Sequence, residues 1–278
     1  IKSISTNSYL AKQTSNGLVK VKKGWEDSFE RDELIEFNEN GTIKKITYRG
    51  INSKVERVDK NEYSGDQLIK SFTKYQKVKH SYDEAGRRAS TKGYDRTPNV
   101  ITSLNIDETT DKVKFTIKYK YGEDNKLKQK TEFDSKGNVT TITTFTYNSF
   151  GLLTKEESVS GGYRDWYVYE YDNSGYVINK KCYDSDEGLL ENESNEYINN
   201  QLVSSIWENY SEGEMEGKIT CKYENGNEIE IVEFDIIDNK KITWTYKYKY
   251  DSHNNWIEKE AFTYKNEYYV THRVIEYY

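Results

Sequence analysis

Tyr171-Asp172-Asn173-Ser174-Gly175-Tyr176-Val177 is the stretch on which the reading of this chain turns. An aromatic residue leads, Asp follows, Gly sits near the end, and an aliphatic stands six positions after the aromatic. In that order the Asp side chain bonds backbone two residues on, and Gly accepts the positive φ of a tight reversal. The same spacing joins Tyr121 to Leu127, Phe133 to Val139, Tyr147 to Leu153 and Tyr223 to Ile229, and earlier Phe37 to Ile43 and Tyr63 to Ile69.

Between these turns the chain alternates. Phe115, Ile117, Tyr119 and Tyr121 share one face of an extended segment, while Thr116, Lys118 and Lys120 share the other. Ile242, Trp244, Tyr246, Tyr248 and Tyr250 stand against Thr243, Thr245, Lys247 and Lys249 in the same way. Strands that shield one face and wet the other, joined by tight turns, make an antiparallel meander.

A longer period lies over the short one. Tyr121, Phe133 and Tyr147 correspond to Tyr171, Tyr183 and Tyr197, and again to Tyr223, Phe234 and Tyr250, about 50 residues apart. The gaps between these triplets leave room for further hairpins, with tips at Ser160-Gly161-Gly162 and Ser211-Glu212-Gly213. The expected fold is therefore all-β: a meander of about 20 short strands, as an elongated, twisted single-layer sheet or a curled sheet. Residues 1–278 read as one continuous repeat body, with an irregular segment near 93–111 that holds the only proline, Pro98.

Leu, Ile, Val and Phe number 57 of 278 residues, and mean hydropathy is -1.00, close to the composition of disordered chains. The 26 Tyr and 5 Trp supply the missing apolar area. Each ring buries enough to contribute a few kcal/mol at roughly 25 cal/mol per Å², while a Tyr hydroxyl can stay wet, so a thin core is expected. Net charge is -6 with Lys and Glu interspersed, which excludes the basic field of a nucleic-acid partner. No run of 18 apolar residues occurs, so no membrane-spanning helix is expected; charge on both faces of several strands argues against a transmembrane barrel. The opening Ile1-Lys2-Ser3 reads as a trimmed or mature form. Cys182 and Cys221 would lie about three strands, ~14 Å, apart in a simple meander, too far to bridge.

Motifs for chemistry are scarce. His80, His253 and His272 are scattered, and Asp134-Ser135-Lys136-Gly137 lacks the further acidic ligand of a calcium loop. No nucleophile elbow, zinc-protease motif or phosphate loop occurs, so no catalytic residue, metal or cofactor is expected. The aromatic excess is the constellation that could act. Tyr163, Tyr167, Tyr169 and Tyr171 fall on one face of a strand and Trp166 on the other, so rings stand on both sides. Exposed aromatic rows stack on sugar rings and extended peptides. The candidate ligand-binding residues are Trp166, Trp207, Trp244, Trp256, Tyr167 and Tyr169.

At Tyr82-Asp83-Glu84-Ala85-Gly86-Arg87, Tyr171-Asp172-Asn173-Ser174-Gly175 and Tyr250-Asp251-Ser252-His253-Asn254-Asn255-Trp256 the chain resembles the Tyr-Asp repeats of bacterial Rhs-type proteins and teneurins. The resemblance implies a long β-sheet spiralling into a hollow shell, at the cell surface or around a toxin. Asn254-Asn255-Trp256-Ile257-Glu258 and the closing Arg273-Val274-Ile275-Glu276-Tyr277-Tyr278 are similar to small secreted or lipid-anchored proteins of gut bacteria, which implies a cell-surface or extracellular home and no known chemistry. The expected function is a non-catalytic surface or secreted scaffold or binding module. Alternatives are an adhesin-like module that binds glycan or another surface protein through exposed aromatics, and a hydrolase without recognisable motifs.

Overall fold

The computed structural model describes residues 1–15, 17–23, 32–50, 54–73, 76–96, 109–263 and 268–278. Within them lie 21 strands. They are β1 Ser3–Thr14, β2 Gly17–Lys23, β3 Glu33–Phe37, β4 Ile43–Arg49, β5 Val55–Ser64, β6 Gln67–Phe72 and β7 Gln76–Tyr82. Next come β8 Arg88–Arg96, β9 Thr109–Tyr121, β10 Leu127–Phe133, β11 Val139–Tyr147, β12 Leu153–Ser160, β13 Tyr163–Tyr171 and β14 Val177–Asp184. The last are β15 Gly188–Ile198, β16 Gln201–Ser211, β17 Glu214–Glu224, β18 Asn227–Asp235, β19 Lys240–Tyr250, β20 Trp256–Phe262 and β21 Tyr268–Glu276. Of the segment expected to be irregular, Gly93–Arg96 continues β8 and Thr109–Asp111 opens β9; residues 97–108, with Pro98, lie outside the described residues.

The repeated turn has one construction. Asp83, Asp134, Asn148, Asp172 and Asp251 each accept two backbone N–H groups on Oδ1, two and four residues on; for Asp172 the donors are Ser174 and Tyr176, both at 2.9 Å. Gly175 (φ +87°) closes the reversal, and Asn254 (φ +61°) does so in the Asp251 turn. The aromatic and the aliphatic six positions on are ladder partners: Tyr171 faces Val177, Phe133 faces Val139 and Tyr147 faces Leu153, each at a register shift. Tyr63 and Tyr223 depart from that spacing, because two-residue turns follow them. Their partners are Leu68 and Glu228, not Ile69 and Ile229. The expected tips at Gly161-Gly162 and Glu212-Gly213 are two-residue hairpins with positive φ at both positions.

From β3 to β21 each strand pairs antiparallel with the next. An open or merely curled sheet is not what forms. β1 pairs β21 along Ser3–Ala11 and, on its other edge, pairs β3 along Ser3–Thr6, so the meander shuts into a closed barrel of 20 strands. The remaining strand, β2, hairpins onto the far half of β1 beside that seam. Closure is favourable because it removes two unpaired edges. The sequence alone does not expose it, since β1 must bond a strand more than 250 residues away.

The core is as thin as composition demands. Among the described residues the largest side chains fully removed from water are no bigger than serine, Ser8 and Ser205. One face, the tyrosine face, sets large against small: Tyr167 faces Cys182, Ile117 faces Thr91 and Tyr269 faces Ala261. Cys182, Thr91 and Ala261 are buried, and so are Ser8 and Thr271, which face each other with their hydroxyls hydrogen-bonded at 3.0 Å. The opposite face is the wetter one, carrying Lys118, Lys120, Lys247 and Lys249. Surface area fits an open body: 17647 Å² is exposed, against roughly 12,500 Å² for a compact monomer of this mass. Twenty strands also exceed the size at which side chains fill a barrel.

Tyrosine hydroxyls finish one rim. Tyr63 donates to the carbonyl of Ile43, Tyr82 to Leu68, Tyr121 to Arg88, Tyr147 to Leu127, Tyr171 to Leu153 and Tyr248 to Glu228, at 2.6–3.0 Å. Each acceptor is the first or second residue of its strand, beside a register shift, where the ladder skips a residue and would otherwise leave the carbonyl to solvent. The recurring Tyr is therefore a rim clamp as well as a shield for small neighbours.

Candidate functional site

A shallow groove of about 260 Å³ lies on the tyrosine face over β13–β17. Ladder register builds it from two adjacent rows. One runs Tyr167, Cys182, Glu191, Asn209, Gly217; the other runs Tyr169, Lys180, Glu193, Trp207, Ile219. Large side chains at Tyr167 and Trp207 flank small ones, Cys182 and Gly217, and that contrast makes the depression. A Cβ on Gly217 would stand 2.6 Å from Asn209 Oδ1, so the approach of Asn209 depends on glycine there.

Trp207 is 44% exposed, and its Nε1 donates to Ser205 Oγ at 3.2 Å, which fixes the ring in place on the groove wall. Tyr167 is differently placed. Lys180 Nζ lies 4.7 Å from its ring centroid, and its hydroxyl, hydrogen-bonded with the Cys182 thiol, is pushed up to about 12. Burial raises Tyr169 to about 12 as well. Glu193 accepts from Asn195 Nδ2 at 2.8 Å. Glu191, Asn209 and the Lys180 ammonium make no hydrogen bond or ion pair with another described side chain. A carboxylate, an amide and an ammonium thus stand ready around one open indole face.

Of the six residues expected from sequence, the structure brings Tyr167 and Trp207 into this groove and leaves Tyr169 in the row beside them. Trp166 lies on the opposite face, stacked on Tyr183 at 5.5 Å between Lys155 and Arg164, both of which pair with Glu157. Trp256 is covered by the Arg273 guanidinium at 3.4 Å and meets Tyr248 edge-on at 5.9 Å. Trp244 faces Ile231 in the ladder, three strands from Trp207. These three tryptophans belong to separate clusters. Lys180, Glu191, Glu193 and Asn209 carry no mark in the sequence, because period two gives a face but not which positions on five successive strands form a row.

The displaced pKa values follow local hydrogen bonds and burial. Each carboxyl with a displaced pKa is lowered, as Asp184 is by the Tyr163 hydroxyl and the Glu187 backbone N–H, and Glu208 by Asn192. Burial raises the thiols of Cys182 and Cys221, which are free and buried. The histidines are apart: His80 Nδ1 bonds Thr91 Oγ1 at 2.9 Å, His253 stacks on Tyr277 at 4.2 Å, and His272 Nδ1 lies 3.4 Å from Glu258. Among the described residues no group of three or more His, Cys, Asp or Glu could hold a metal ion, and no helix is long and apolar enough to cross a membrane.

No family model matches the chain, and no curated protein matches it. Among solved structures it is similar to a chain described as TcdB2-TccC3-TEV, with 13% identity over 86% of this chain and a TM-score of 0.37. It is also similar to a Photorhabdus luminescens Tc holotoxin pore, at 12% identity over 86% of this chain and a TM-score of 0.33. This chain spans 14% of the length of each of those two. A porin-like protein from Bacteroides uniformis matches at 16% identity over 78% of this chain and 95% of its own, with a TM-score of 0.39. Likenesses this weak carry no argument about function.

Proposed function

We propose that this protein is a non-catalytic binding scaffold that works outside the cytoplasm, secreted or at the cell surface, and holds its ligand in the Trp207 groove. The observation that carries the reading is the open Trp207 ring beside Glu191 and Asn209, which make no hydrogen bond or ion pair among the described residues, and beside Lys180, whose one described partner is the Tyr167 ring. Catalysis asks for the opposite electrostatics: a general acid needs a raised carboxyl and a nucleophile a lowered thiol, whereas Asp184 and Glu208 are lowered and the Cys182 and Cys221 thiols are raised. Both faces of the barrel carry charge at mid-strand, with Lys118 and Lys247 on one and Lys130, Glu156 and Glu233 on the other. Whichever face met lipid would carry such charges into it, at up to ~2–4 kcal/mol for each Lys and less for each Glu, which favours a barrel bathed in water. The Tyr-Asp turns, which resemble those of surface and secreted repeat proteins, support the location.

Calorimetric titration of the intact chain against a panel of polysaccharides and extended peptides tests this. The expected result is saturable binding to one class, lost in Trp207→Ala, kept in Trp166→Phe, with the ligand recovered unchanged. Protein-dependent cleavage of a panel member, or binding indifferent to Trp207→Ala, would overturn it.

A further inference from the structure

We infer that the Trp207 groove takes a single pyranose ring of a neutral saccharide; this rests on the groove being the binding site. Three features select that ligand over the cation or the apolar group that an aromatic pocket can also hold.

The first is how many ring faces are free. A cationic ligand is held best by several aromatic faces at once. Here Tyr167 is already occupied by Lys180 at 4.7 Å, which leaves Trp207 as the one open face in the groove. An internal ammonium holds the place that a ligand cation would seek. A single flat indole suits the C–H face of a sugar ring, whose weakly positive hydrogens meet the negative π-cloud.

The second is the balance of hydrogen-bonding groups. Glu191 offers only acceptors, Lys180 only donors, and Asn209 both. Sugar hydroxyls each donate and accept, so neighbouring hydroxyls on one ring edge match such a mixed set. An apolar ligand would strip water from these groups and replace nothing.

The third is spacing and size. Lys180 and Trp207 stand in one row, Glu191 and Asn209 in the next, two residues along the same strands, a step of about 6.6 Å. The polar groups therefore lie beside the indole, where a stacked ring would put its hydroxyl edge. A volume of about 260 Å³ is slightly below the ~300–1,000 Å³ of sites for drug-sized ligands, so one sugar ring fits and a folded partner does not. Such a shallow site predicts weak binding, with a dissociation constant on the order of 1 mM.

The test uses the full chain labelled with 5-fluorotryptophan, the Trp207 resonance assigned by Trp207→Phe, and the methyl pyranosides of glucose, galactose and mannose as probes. At least one pyranoside should shift the Trp207 signal saturably while the Trp166 signal stays still. Glu191→Gln and Asn209→Ala should each weaken binding by roughly ten-fold, with circular dichroism confirming the fold. Three outcomes overturn the proposal: no pyranoside shifts Trp207, the shift is indifferent to Glu191→Gln and Asn209→Ala, or tetramethylammonium binds in place of the sugars. The last would leave the groove as a binding site with a cationic ligand. If sugars, peptides and tetramethylammonium all leave Trp207 unmoved, the binding reading falls with it.

Discussion

The hydroxyl of Tyr278, the last residue, donates to the main-chain carbonyl of Phe37 at 2.7 Å across the barrel seam. The bond is of the kind that Tyr171 makes on Leu153, but here the acceptor closes its strand, β3, and the bond reaches past the start of β1 to join opposite ends of the chain. Its neighbour Tyr277 bonds Asp251 and Asn255 of the adjacent turn, so the terminal pair stitches two rim turns to the seam. Tyr278→Phe should cost about 1 kcal/mol and lower Tm by roughly 2–4 °C, similar to Tyr171→Phe. Calorimetric melting of both variants checks it; no change for Tyr278→Phe alone would mean the seam clamp is idle.

Gly137 tests the turn itself. Its φ is +87° and a Cβ there would meet nothing within 4 Å, so Gly137→Ala adds backbone strain without a clash. The expected cost is about 1–2 kcal/mol in denaturant unfolding. Gly137→Asn should cost less, because Asn125 and Asn254 already adopt this conformation in equivalent turns. Equal costs for Ala and Asn would contradict the strain account.

Alkaline pH should loosen the tyrosine face. Tyr163, Tyr167 and Tyr169 are each raised to about 12, Tyr163 chiefly by its bond to Asp184 and Tyr169 by burial. For groups raised above an unfolded value near 10, the stability they add is fully present below pH 10 and is lost as pH climbs from there towards 12. The absorbance of tyrosinate should show these phenols among the last to titrate, with Tm falling over the same range. At the other end Asp83 is held low by the Arg87 backbone N–H, Asp134 by the Asn138 side-chain amide, and Asp184 and Asp251 by the Tyr163 and Tyr277 hydroxyls, so their contribution is present above about pH 4 and fades as pH falls below it. Tyr163→Phe should move the Asp184 carboxyl back up, readable by carbon NMR.

Cys182 and Cys221 should resist a thiol reagent at pH 8 in the folded protein and react fast once it unfolds. Burial under Tyr167 and beside Ser205 both hides the thiols and raises their pKa. Fast labelling of native protein would show that the rings do not cover them.

What the sequence made legible was local. Tyr171-Asp172 through Val177 carries its turn, its ladder pair and its face, because Asx bonding and positive φ act within a few residues. Even there Tyr63 misleads by one position, since the two-residue Gly65-Asp66 turn shortens the loop. Closure was hidden because Ser5 opposite Val274 is a pairing that no local pattern encodes. The groove was half hidden: an aromatic such as Trp207 announces itself, but Glu191 and Asn209 become its neighbours only through the registers of β14–β16, each shifted by a bulge.

Closure of the ring between β1 and β21 defines this fold, and amide hydrogen exchange along those two strands tests it most directly. A closed barrel predicts that amides of Ser5–Ala11 and Val270–Ile275 exchange as slowly as those in the middle of β11 and β12. An open sheet would leave β1 and β21 with frayed outer edges, and alternate amides there would exchange at near-unfolded rates. Slow exchange on both seam strands is the result predicted; fast exchange confined to them would contradict the closed barrel.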